Sequence, residues 1–320
     1  MAFLSFLLRR ILAGIFVLWA VTLGTFLLFF VIPADPAKTI AGKAGTASMV
    51  ADIRHRLGLD LPIQVQYWHY LDRLVHGDLG TSFFTGISVN HTLLADLPPT
   101  ISLIIGGVVL WLAGGLTVGI VSAIRPRSAF DRVATAAVLA AYSMPAFVTG
   151  FALLYFLYFL PTKANIHIFQ PNYVPITQSP VQWLQRMVLP WITLASLTAA
   201  AYTRLTRGSL LDTFSEDYIR TARAKGLPER RVVLRHGLRA ALTPVVSQLG
   251  VDVGTLIGNT IVTETVFGLG GIGALIGQSV INGDVPIVLG IVLVTAACVV
   301  VANILVDIGY SILDPRVRVT

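Results

Sequence analysis

Phe214-Ser-Glu-Asp-Tyr-Ile-Arg-Thr-Ala-Arg-Ala-Lys-Gly-Leu-Pro228 is a short charged stretch lodged between two long apolar segments. Its residue order predicts a helix that starts and stops itself. Ser215 can cap it, and Glu216 and Asp217 fill a first turn where the helix dipole favours negative charge. Arg220, Arg223 and Lys225 load the last turns with the opposite sign. Gly226 supplies a left-handed stop, and Pro228 forbids continuation. The product is a helix of about ten residues, about 15 Å long at ~1.5 Å per residue. It is too polar to enter a bilayer and too short to be a domain. A membrane protein that presents such an element on one face is offering it to a partner.

The rest of the chain supplies the membrane. Hydrophobic residues make up 55% of the 320 and charged residues only 12%, with a mean hydropathy of +0.78. That balance lies outside the range of soluble domains. The single cysteine, Cys298, sits in an apolar run, which excludes a disulfide within the chain. Arg9-Arg10 precedes an apolar run with no small-residue cleavage site, so the start reads as an uncleaved first span. A bilayer needs about 20 apolar residues per helix. Six segments qualify: 11–32, 99–123, 133–160, 187–203, 243–265 and 286–311. The expectation is an all-α integral membrane protein forming one transmembrane domain over 1–320.

Charge sets the orientation. With the N-terminus inside, the cytoplasmic pieces hold Arg9, Arg10, Arg125, Arg127, Arg132, nine basic residues from Arg204 to Arg239, and Arg316 and Arg318. These are 16 of the chain's 23 basic residues. The excess places both termini in the cytoplasm. The net charge of +7 is then a topology signal rather than a nucleic-acid footprint. Residues 33–98 form a long extracytoplasmic region that needs structure of its own. Within it Pro62–Val75 reads as an amphipathic helix, with Tyr67, Leu71, Leu74 and Val75 on one face and Gly77 ending it. Trp68 marks it for the membrane interface, a buried packing role being the alternative. Residues 266–285 read as a glycine-hinged outer loop with one short helix near 272–281.

The fifth span has two faces. Gly250, Gly254 and Gly258 recur every fourth residue, a smooth stripe that another helix can approach closely. On nearly the opposite side Gln248, Asp252, Thr255, Asn259 and Thr263 fall within an arc of about 80°, over about 22 Å of helix. Polar groups in a membrane face a bundle interior or a wet path. The stripe is therefore a candidate translocation path, the plainer reading being that Asp252 hydrogen-bonds inside a dry bundle. In the sixth span Asn303 and Asp307 lie one turn apart, where pairing with the basic loop accounts for them. No HExxH, CxxC or G-x-S-x-G occurs, the six histidines lack ligand spacing, and Gly42-Lys43 lacks the rest of a phosphate loop. No catalytic residue, metal site or cofactor is expected. If ATP drives this protein, another polypeptide hydrolyses it.

The run Asp217–Pro228, continuing into Arg235-His-Gly-Leu-Arg-Ala-Ala-Leu-Thr-Pro244, resembles the cytoplasmic EAA-type loop of ABC-importer permeases. It is most similar to the dipeptide/oligopeptide (and nickel) subfamily. Ile32-Pro-Ala-Asp-Pro36, His76-Gly-Asp-Leu-Gly80, Ile261-Val-Thr-Glu-Thr-Val-Phe267 and Leu313-Asp-Pro-Arg316 agree with that likeness. The glycine of the EAA pattern corresponds to Gly226 and its Glu-Ala-Ala to Arg220-Thr221-Ala222, so one letter of three is kept. The pattern's later proline falls near Arg239 or Ala240, whereas this chain has Pro244.

The resemblance implies a bacterial inner-membrane permease with six spans. It further implies a second, related permease as a heterodimeric partner, two ATPase subunits and an extracytoplasmic substrate-binding protein. The ATPases would meet residues 204–242 through Glu216, Asp217, Tyr218, Arg220, Ala222, Arg223, Lys225, Gly226 and Pro228. Peptides are the implied substrate, with nickel or another small solute as the alternative. A self-sufficient secondary transporter or channel would explain the spans and the polar stripe but not the docking helix. A non-transporting scaffold would not need Asp252 and Asn259 aligned. Residues 204–239 as a basic anchor on anionic lipid, at about 1 kcal/mol per basic residue, would need neither the acidic first turn nor the glycine stop.

Overall fold

The computed structural model describes residues 2–28, 36–42, 45–56 and 58–313. Most of Ile32–Pro36 and of Leu313–Arg316 therefore lies outside the described residues. The chain is helical: α1 Ala2–Phe26, α2 Pro36–Ala41, α3 Ala47–Arg56, α4 Ile63–Val75, α5 Val89–Ile124, α6 Ala129–Ser143, α7 Ala146–Leu153 and α8 Leu160–Lys163. Then come α9 Pro180–Phe214, α10 Asp217–Ala224, α11 Glu229–Arg231, α12 Leu238–Phe267, α13 Ile272–Asn282 and α14 Val285–Leu313. Wider π-turns at Leu154–Phe159 and Val232–Gly237 join α7 to α8 and α11 to α12.

Among the described residues four helical stretches are long and apolar enough to cross a membrane: Leu8–Phe26, Val89–Ile124, Ala146–Lys163 and Val285–Ile308. Gly258–Phe267 and Ile272–Asn282 qualify together as a pair bent by 93°. The expected segments 187–203 and 243–265 lie on α9 and α12, which are not among these four. The expected span 133–160 is not one helix. Pro145 breaks it, and the preceding Met144 is extended (φ −103°, ψ 119°), because the proline ring disfavours a helical residue before it.

Two compact units divide the chain, one from residues 1–97 and 275–301, the other from 98–274 and 302–320. In the first, α4 lies against the end of α1. Phe26 is buried and its ring is 5.1 Å from that of Tyr67 and 5.9 Å from that of Tyr70. The Tyr67 hydroxyl shares a 3.0 Å hydrogen bond with Thr22. The packed face of α4 thus runs through Tyr67 and Tyr70, while Trp68 and Val75 are exposed. Val75, expected on that face, is not covered. The turn after α4 is fixed by side chains. Buried Asp284 accepts hydrogen bonds from the Ser82 hydroxyl and, at 3.0 Å, from the Phe83 N–H.

The second unit is built on α5, α9 and α12. Leu103 and Trp111 of α5, Met187, Leu194 and Tyr202 of α9, and Val245, Leu256 and Phe267 of α12 form one buried cluster. The close approach of α5 to α9 depends on glycine. A Cβ on Gly115 would lie 2.7 Å from the Cβ of Tyr202 and 3.0 Å from the carbonyl of Ala199; one on Gly119 would lie 2.8 Å from the carbonyl of Thr203. Backbone that close admits no side chain. Along α12 the situation is reversed. A Cβ on Gly250 would touch Val306 at 3.4 Å, but Gly254 and Gly258 have nothing within 4 Å.

One ion pair ties α6 to α9. Ser128 caps α6 by accepting from the Asp131 N–H. The Asp131 carboxylate in turn takes a bidentate pair of hydrogen bonds from Arg207, at 2.7 and 2.9 Å, and another at 2.8 Å from the Arg127 N–H. Arg207 holds its carboxyl down to about 2, with the Arg127 N–H adding to the effect.

Two outcomes follow from this packing. Gly115→Leu should destabilise the unit by more than the 1–3 kcal/mol typical of overpacking, seen as lost folded yield in detergent. Gly254→Leu should leave the isolated chain's thermal unfolding unchanged. For Asp131 the folded pKa lies below the unfolded value of about 3.9, so its stabilisation is complete above about pH 4 and disappears as pH falls through about 2. Asp131→Asn should cost about 1.5–3 kcal/mol at neutral pH, and unfolding midpoints should then lose their dependence on pH between 4 and 2.

Candidate functional site

The charged stretch folds as a hairpin on the end of α9. That helix continues through residues 204–214, so Ser215 ends α9 instead of capping the next helix. Its hydroxyl donates to the Asp212 carbonyl at 2.6 Å. α10 begins after Glu216, whose backbone is extended (φ −70°, ψ 146°) and whose side chain makes no capping bond. The short helix thus has eight residues, with Asp217 in its first turn.

Its end is a Schellman motif. Gly226 has φ +74°. The Gly226 N–H bonds to the Arg223 carbonyl at 2.9 Å and the Leu227 N–H to the Ala222 carbonyl at 3.4 Å, which satisfies carbonyls that would otherwise lack partners. Ile219, Ala222 and Val232 are buried together against Phe214 and Leu227. Two apolar side chains therefore seat the helix on its own chain, while Asp217, Tyr218, Arg220, Lys225 and Gly226 are left exposed.

The arginines differ in role. Arg223 makes a bidentate pair with Glu229, at 2.7 and 3.2 Å, and stacks over the Phe214 ring at 5.3 Å. The pairing raises the guanidinium's pKa and lowers that of the carboxyl. Arg223 therefore staples the turn around Pro228. Among the described residues Arg220 reaches only Asp217, at 3.5 Å and largely in solvent. Beyond the turn, a Cβ on Gly237 would meet Phe214 at 2.9 Å and Leu210 at 3.3 Å, and Ser209 donates to the Ala241 carbonyl at 3.0 Å. The hairpin returns tightly onto α9.

On α12 the five polar residues straddle the border of the packed face. Thr263 is fully buried. Asp252 is half-buried, accepting from the Tyr202 hydroxyl at 2.8 Å and from Gln248 Nε2 at 2.9 Å. Gln248, Thr255 and Asn259 are exposed. Asp252 is thus fixed by α9, and Gln248, Thr255 and Asn259, like Gly254 and Gly258, lie on uncovered parts of the helix.

Glu264 is the group that reading the sequence missed. It has no exposed surface and receives the Thr100 hydroxyl at 2.7 Å and the Ala274 N–H at 2.9 Å. Thr100 Oγ1 also accepts the Ile272 N–H at 2.9 Å. The carboxylate thereby sits at the first turn of α13, where orphan N–H groups and the dipole favour an anion, and it holds the sharp bend between α12 and α13. A lone acid in an otherwise apolar segment was the available signal. Its partner 164 residues away was not legible.

Comparison with known proteins agrees with this architecture. Residues 115–319 match the family described as binding-protein-dependent transport system inner membrane component. Residues 3–104 match the description of that system's N-terminal membrane component. Among similar proteins is a "probable peptide ABC transporter permease protein y4tP" of Sinorhizobium fredii, 37% identical over 98% of this chain and 99% of its own length. The "glutathione transport system permease protein GsiC" of Salmonella typhimurium is 36% identical over the same shares, and that of Escherichia coli K12 35%. The chain belongs to the family of inner-membrane components of binding-protein-dependent transport systems.

Proposed function

We propose that this protein is one of two transmembrane subunits of an ATP-driven importer of short peptides, working as a heterodimer with a related permease. In this reading a binding protein delivers substrate at the outer side, both termini are cytoplasmic and six spans cross the membrane. The chain is a transport component rather than an enzyme. ATP is hydrolysed by separate subunits that grip α10.

The observation that carries the reading is the construction of α10. A lipid anchor needs only basic charge, whereas this helix is short, positioned by two buried apolar side chains, ended by a left-handed glycine and stapled by Arg223–Glu229. Those features fix its direction relative to α9, which a coupling lever requires. The names of the similar proteins support peptides as the substrate class. The exposed edge formed by Gln248, Thr255 and Asn259, beside the open glycines of α12, is the proposed wall of the path, completed by the partner permease. α9 and α12 can be more polar than lipid-facing spans because they face protein and path.

Gly226→Val places a β-branched residue at a positive φ, which is strongly disfavoured. The variant should reach the membrane and pair with its partner, yet lose the ATPases or hydrolyse ATP without moving substrate. Transport at the parental rate with ATPases bound would refute the coupling role. Arg220→Glu should weaken ATPase association in a salt-sensitive way. Arg223→Glu should act through the hairpin itself, so Glu229→Arg on the same chain should restore part of the lost coupling.

Asn259→Leu and Asp252→Leu should lower transport at matched membrane abundance, while Gly254→Leu should reduce recovery of the second permease in a pull-down. Equal loss of protein in all three would make the stripe structural.

A further inference from the structure

A polar cleft stands beside the hairpin that carries α10, on the face of α9 that runs toward α10. It is an open cleft of about 530 Å³, inside the range of about 300–1,000 Å³ usual for small-molecule sites. Its floor is α9, with Arg204, Gly208 and Asp212 at successive turns; Pro244 and Gln248 of α12 and Tyr142 of α6 form its sides. The two charges at its ends are not used by the fold. The Arg204 guanidinium stacks over the Tyr142 ring at 5.4 Å, which orients it while leaving its N–H donors in the ring plane direction unspent. No hydrogen bond or ion pair engages that guanidinium or the Asp212 carboxylate among the described residues. Two other charged groups of α9 and its hairpin are engaged by the fold, in the pairs Arg207–Asp131 and Arg223–Glu229.

The spacing of these charges selects a ligand. Eight residues of helix separate Arg204 from Asp212, about 12 Å at ~1.5 Å per residue. An extended chain advances about 3.3–3.6 Å per residue, so the ammonium and carboxylate of a tripeptide stand about 10 Å apart. Between Arg204 and Asp212, Gly208 contributes no side chain, and nothing lies within 4 Å of where its Cβ would be, which leaves room for a peptide's own side chains. We propose that this cavity binds a short zwitterionic peptide of about three residues, its carboxylate on Arg204 and its ammonium at Asp212.

The proposal rests on the peptide-import reading above, under which the cavity is the last station before release into the cytoplasm. A peptide held there touches α9 one turn from the coupling hairpin. Filling of the site by accumulated product would therefore resist the motion that α10 transmits.

The test uses the assembled complex of both permeases and the ATPases in nanodiscs, without binding protein or nucleotide. Trialanine, its N-acetyl form and its C-terminal amide are titrated by calorimetry. The expected result is trialanine binding that each blocked form loses at least ten-fold. Arg204→Gln should weaken trialanine at least ten-fold and bind the amide no worse than the free acid. Asp212→Asn should do the same for the acetylated peptide. Gly208→Val, which meets no atom of the fold, should abolish binding without reducing assembly. Equal binding of blocked and free peptides, or no binding by the parental complex, overturns the proposal. Transport of a peptide panel by the full system is measured alongside. Failure to import any peptide would overturn the import reading, whereas import with charge-indifferent binding would overturn only this site.

Discussion

A helix of 35 residues is about 52 Å long at ~1.5 Å per residue, while the hydrocarbon core of a bilayer is about 30 Å thick. α9 is longer than that thickness, so under the proposed topology it projects beyond the membrane, and its far end carries the hairpin that includes α10. Everything proposed for coupling depends on that helix staying stiff. Three contacts keep it so: the glycine-mediated approach of α5 at Gly115 and Gly119, the Asp131–Arg207 pair on its flank, and the return of Gly237 onto Leu210 and Phe214 at its tip. Pro190 lies near the opposite end, where a lost backbone hydrogen bond does not weaken the projecting arm.

Polar groups in this chain sort by what they hold. Glu264, Asp284 and Asp131 are buried and each accepts backbone as well as side-chain donors, so they fix bends and turns. A buried carboxylate without such partners would be strongly destabilising. Asp252 is intermediate, tied to Tyr202 but open on its other edge. Gln248, Thr255 and Asn259 make up the part of α12 that this chain leaves uncovered, next to Gly254 and Gly258. One helix thus leaves both a run of glycines and a polar edge uncovered by this chain.

The local features were the ones legible in the sequence. Gly226 and Pro228 announced the end of α10 because left-handed stops and proline act within a turn, and Tyr67 marked part of the packed face of α4, whose buried Tyr70 was not singled out. Ser215 was misread as a cap because nothing local shows that α9 continues to Phe214. Pro145 was a visible breaker inside the expected span 133–160, outweighed there by hydropathy. The glycine stripes show the limit of pattern reading. Gly106, Gly115 and Gly119 of α5 and Gly250, Gly254 and Gly258 of α12 are equally plain in sequence, yet the first set packs inside the chain and most of the second does not. Which stripe meets a neighbour is decided by tertiary contacts, as is the pairing of Glu264 with Thr100.

The central claim is that α10 is gripped by an ATPase subunit. Tyr218 lies on its exposed surface, 45% accessible, away from buried Ile219 and Ala222, so the photoreactive phenylalanine analogue benzoylphenylalanine can be placed there. Irradiation of the assembled transporter in native membranes should give an adduct with the ATPase subunit, with a yield that changes between the nucleotide-free and ATP-bound states. Adducts with lipid or with the second permease alone, unaffected by ATP, would contradict it.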